Sequence, residues 1–186
     1  MTHEMELLNY LPSLTDLFKQ IYIDIGNQQI YWILVFVGLM LTFHGVYVLL
    51  VVICFNTIRS WLIEHYRIAG QYFYGFRLAA FVAYFVAIVL IILGHLIDIV
   101  MWTYALIPLN IFSSNPETFY FAGEMYVTVG FGSFELAKSW RILPIVIAFS
   151  GIFAASMSGA ALFNMLGTLI SRASKAKDAD ANLPAV

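Results

Sequence analysis

Three uncharged apolar stretches, residues 30–58, 78–97 and 142–171, constrain this chain more than any other feature. About 20 apolar residues in a helix cross the hydrocarbon core of a bilayer. A helix also meets the bilayer's second demand, because it satisfies its backbone hydrogen bonds within one segment. The first and third stretches have residues to spare. The second keeps its helical pattern past Asp98 and Trp102 to Pro108, whose missing N–H should end it. Composition points the same way. Of 186 residues, 62% are hydrophobic and only 11% charged, against about 25% charged in a soluble domain. The expectation is an all-α membrane protein with three transmembrane helices.

The segments between the spans orient them. Residues 1–29 carry Glu4, Glu6, Asp16 and Asp24 against a single Lys19. Leu7, Leu8, Leu11, Leu14, Leu17, Phe18 and Ile21 recur at three- and four-residue spacing. That predicts an amphipathic helix, either lying at the membrane interface or packing against the bundle. No basic start followed by an apolar run marks a secretory signal. Residues 59–77 read as a cytoplasmic loop with Arg59, Arg67 and Arg77, and residues 172–186 as a short tail with Arg172, Lys175 and Lys177. Arginine and lysine collect on the cytoplasmic side. Three spans plus a re-entrant loop put both basic clusters on one face, so the N-terminus is expected outside and the C-terminus inside. Cys54 is the only cysteine and cannot form an internal disulfide.

Residues 116–127 form an aromatic, helical run, followed by Thr128-Val129-Gly130-Phe131-Gly132 and a short polar loop, 133–141. A short helix and a glycine-rich loop between two spanning helices predict a re-entrant pore loop. The pentapeptide resembles the selectivity filter of tetrameric potassium channels, which usually reads TVGYG. The resemblance covers residues 116–170. It places Glu124 behind the filter, Tyr120 and Phe121 in an aromatic cuff around it, Trp140 before the inner helix and Gly151 at a gating hinge. His95, Asp98 and Trp102 match the His-x-x-acid and later Trp found at the end of the outer helix in small bacterial ion channels. The resemblance therefore implies a multi-pass protein of the bacterial inner membrane, assembled as a homotetramer. In this reading, helices 78–108 and 142–171 are outer and inner, and the span 30–58 is peripheral.

The chemistry fits those residue types. A cation loses its water in a membrane only where other oxygens replace the hydration shell, and rings of backbone carbonyls can do so. Gly130 and Gly132 allow the required dihedrals, and Thr128 adds a hydroxyl ring. Potassium is then expected at Thr128, Val129, Gly130 and Phe131, with the Phe131 side chain turned from the axis onto the pore helix. Three departures bear on selectivity. Phe131 replaces the usual tyrosine, Val127 stands where threonine is common, and Ser133 replaces an aspartate, with Glu135 nearby at the outer mouth.

Ionisable residues inside a membrane are functional candidates. Glu124 is expected to support the filter rather than touch the ion. His95, Asp98 and Trp102 share one helix face. They read either as a polar anchor between outer helix and pore helix or as a pH-sensitive support, since histidine titrates near neutrality. Counted from the outer end of its helix, His44 lies about 20 Å deep, whereas His95, counted from Arg77, reads as close to the outer surface. A shared ligand is therefore not expected. No nucleophile motif, phosphate loop, Cys/His cluster or nucleic-acid patch appears, so neither an enzyme nor a cofactor is expected. The expected function is passive potassium-selective conduction. The alternatives are a weakly selective cation channel and a non-conducting membrane subunit of the same fold. Without regularly spaced arginines in 30–58, steep voltage gating is not expected.

Overall fold

The computed structural model describes residues 13–25, 29–68 and 72–181. Five α-helices follow in order: α1 (Leu14–Ile25), α2 (Gln29–Ile68), α3 (Tyr72–Leu106), α4 (Asn115–Tyr126) and α5 (Leu143–Ala181). Short 3-10 turns, Ile107–Leu109 and Lys138–Trp140, precede α4 and α5. No strand occurs among the described residues. Three helical segments, Gln29–Tyr66, Leu78–Leu109 and Lys138–Ser171, are long and apolar enough to cross a membrane.

Two helix boundaries have a clear local cause. Pro108 stops α3 two residues earlier, and the chain leaves through a 3-10 turn closed by Asn110, in the left-handed region at φ 49°. Ser114 caps α4 by accepting from the Glu117 N–H at 3.3 Å, and Pro116 occupies the first turn. The block 59–77, expected as a loop, is mostly helix, leaving residues 69–71 between α2 and α3 outside the described residues. Likewise α5 continues through the basic residues of the expected tail to Ala181. Charge marks where a helix leaves the hydrocarbon, not where it ends. Residues 1–12, including Glu4, Glu6, Leu7, Leu8 and Leu11, lie outside the described residues.

The first span lies against both other spans of its own chain. α2 packs along α3 and also contacts α5. Gly94 on α3 makes room for this, since a Cβ there would come within 2.5 Å of the Tyr47 ring, and the Tyr47 hydroxyl donates to the Leu90 carbonyl at 2.7 Å. Two apolar clusters fill the bundle. One, built on Met40, Trp102, Phe121, Leu143 and Ile147, surrounds α4. The other, built on Val51, Phe55, Ala87, Ile91 and Met165, joins the opposite halves of α2, α3 and α5. The outward faces carry exposed Leu, Ile, Val and Phe along all three long helices, as lipid contact requires. α1 leaves Leu14, Phe18 and Tyr22 exposed as one stripe and touches the turn Lys138–Trp140.

Candidate functional site

The chain departs from helix at Thr128. Val127 N–H still bonds the Gly123 carbonyl at 3.0 Å, Thr128 N–H bonds Met125 at 3.0 Å and Val129 N–H bonds Glu124 at 2.9 Å. Thr128 and Gly130 then take φ of 60° and 61°, while Val129 and Phe131 do not enter the positive region. Alternation of this kind breaks the strand rule that successive peptides face opposite ways. Gly130 meets its dihedral without strain; a side chain at that φ would be costly.

Glu124 spans the stretch. Its carboxylate lies one α-helical turn before Thr128 and accepts from the Gly132 N–H at 2.5 Å. The carboxylate thus ties the helix to the far end of the irregular segment. Gly132 needs its hydrogen side chain for space rather than for a positive φ, because a Cβ would overlap the Phe134 ring. Phe134 closes an aromatic group with Phe121, at 5.2 Å between ring centres, and Phe112, at 5.7 Å. That is the position expected for Phe131. Phe131 is instead 90% exposed. Phe134 lies three residues further along, with the slack needed to fold back onto α4. Of the expected cuff, Phe121 is fully buried and Tyr120 is 63% exposed. Ser133 and Glu135 are exposed beyond the segment.

Gly151 sits where α4 ends against α5, and a Cβ there would overlap the Tyr126 carbonyl oxygen. It reads from the geometry as a close-approach residue within a continuous helix. Trp140 is buried under the same cluster.

Behind α4 lies a polar group that involves all four long or buried helices. Tyr126 donates its hydroxyl to Asp98 Oδ2 at 2.6 Å and lies 2.9 Å from His95 Nδ1. His44 Nδ1 is 2.6 Å from the same Asp98 oxygen, and its Nε2 lies 3.0 Å from Ser158 Oγ. His95 and Asp98 therefore link α3 to α4 through Tyr126. Trp102, expected with them, turns elsewhere and donates its ring N–H to Ser150 on α5 at 3.0 Å. Along each long helix the polar group falls between the two apolar clusters, with His44 between Met40 and Val51 and Ser158 between Ala154 and Met165.

The separation expected between His44 and His95 is overturned, since their ring centres are 5.0 Å apart. The depths had been counted from opposite ends of different helices. From Gln29, His44 is about 22 Å along α2, and from Leu106, His95 is about 17 Å back along α3. Because α2 and α3 run antiparallel, those figures place the rings at similar levels. Sequence reasoning missed Tyr126, Ser150 and Ser158, which look like ordinary aromatic and small helix residues. One signal could have found Tyr126: it is the last residue of the short helix before the glycines. No family model, curated protein or solved structure matches this chain, so the geometry of the site alone carries its reading.

Proposed function

We propose that the chain is one subunit of a passive, potassium-selective channel, conducting through residues 128–132 of four copies around a common axis. The observation that carries this reading is the backbone at Thr128 and Gly130, where alternate positive φ values follow the end of a short helix. Carbonyls turned successively to one side can replace a cation's hydration shell. Irregular backbone within a membrane is tolerated only where it is buried in protein or lines a watery path. In the single chain residues 127–131 are exposed, which suits a segment completed by further copies.

Glu124 also supports the reading. The family aspartate after the last glycine is absent here, but the Glu124 carboxylate holds the Gly132 N–H from the pore-helix side. The expected result is potassium flux into liposomes that exceeds sodium flux severalfold and collapses in Gly130→Ala. Equal potassium and sodium flux would leave a weakly selective cation channel. Unchanged flux in Gly130→Ala would overturn the assignment of the filter, and no flux at all would favour the non-conducting subunit.

A further inference from the structure

The group behind α4 holds more donor atoms than its hydrogen bonds use. His44 and Asp98 are each 1% exposed. Within that buried space His44 Nδ1 and Asp98 Oδ1 have no hydrogen-bond partner. The 2.6 Å approach of His44 Nδ1 to Asp98 Oδ2 is close, but it lies off the line that a ring N–H bond requires. Buried polar atoms without a hydrogen bond are costly to keep, unless something else binds them.

The remaining atoms of the same residues are already held. His44 Nε2 faces Ser158 Oγ, and Asp98 Oδ2 accepts from Tyr126. The Tyr126 hydroxyl hydrogen is thereby spent on Asp98, so His95 Nδ1 must donate to Tyr126. In the neutral ring this leaves the lone pair on His95 Nε2. Outer partners of this kind fix the tautomer and orientation of metal-bound imidazoles and carboxylates. One ligand atom from each of His44, His95 and Asp98 lies within 4.8 Å of the others.

We infer that His44, His95 and Asp98 form a buried binding site for a divalent transition-metal ion. Two imidazoles and one carboxylate suit zinc and its first-row neighbours rather than calcium or magnesium, which prefer oxygen alone. His44 binds through Nδ1, Asp98 through Oδ1 and His95 through Nε2, while Ser158 and Tyr126 orient them. A cavity of about 430 Å³, lined in part by Tyr126, Thr128 and Gly151, reaches one of the three ligands, His95. The ion clamps α2 to α3 at the back of the helix that leads into Thr128, a structural role that does not depend on conduction.

The test uses the full-length protein in detergent, stripped with a chelator and titrated with Co²⁺. One Co²⁺ per chain is expected, with a visible absorption band from nitrogen and oxygen ligation, displaced by Zn²⁺. The band should persist in His3→Gln/His65→Gln, which removes the chain's other two histidines. It should vanish in His44→Gln and in Asp98→Asn. Ser158→Ala should keep the band and weaken Co²⁺ binding by about tenfold. A wild-type protein that binds no stoichiometric Co²⁺ overturns the site without reference to any variant. A band unchanged in both His44→Gln and Asp98→Asn overturns it as well.

Discussion

At the scale of single residues, the glycines separate by what surrounds them. Gly151 has the Tyr126 carbonyl oxygen where a Cβ would go, and backbone cannot swing aside as a side chain can. Gly38, on α2, has nothing within 4 Å of the same point. Gly151→Ala is therefore expected to destabilise the protein by about 1–3 kcal/mol, the usual cost of overpacking. Gly38→Ala should be neutral or stabilising by up to about 1 kcal/mol, because alanine favours helix. Denaturant titration in detergent, followed by circular dichroism, compares them; equal effects would refute the close approach of α4 to α5. The sequence offered Gly151 as a hinge and Gly132 as a dihedral requirement. It could not show that both make way for neighbours, Tyr126 in one case and Phe134 in the other, because tertiary proximity leaves no local signature.

At the scale of elements, polar pairs matter more than the apolar content of the helices. Lipid is as apolar as leucine, so burying Trp102 against α5 gains little from leaving lipid, and packing and hydrogen bonds carry the association. Trp102 and Ser150 make one such pair, with the Ser150 hydroxyl passing its own hydrogen to the Ile147 carbonyl at 2.6 Å. A double-mutant cycle with Trp102→Phe and Ser150→Ala should give a coupling of about 0.6 kcal/mol, typical of polar pairs between membrane helices. Strictly additive effects would mean the bond adds nothing. The spans, the short helix before the glycines and the end of α3 were legible at this scale, since charge-free length and Pro108 act locally. The place of α2 was not. A helix apolar all round shows no preferred face, and only His44, read at the correct depth, hints that one side of α2 meets Asp98.

At the scale of the whole molecule, the exposed surface is of two kinds. Trp32, Leu39, Phe81 and Phe85 lie on the long helices, where lipid can cover them. Val129 and Phe131 lie instead in irregular backbone after α4, which bare lipid does not accommodate. A single strand of this kind cannot enclose an axis, and the sequence holds no second copy of it. Closed symmetry among identical chains is the simplest arrangement that covers all copies at once. If the proposed fourfold channel is right, the protein in mild detergent has four times the mass of the 21.0 kDa chain. Native mass spectrometry reads this directly, and cross-linking in lipid should run no further than four chains. A stable monomer in both settings would leave residues 128–132 without partners, and the conducting reading would fail with it. The metal site would survive that result, because all three of its ligands come from one chain.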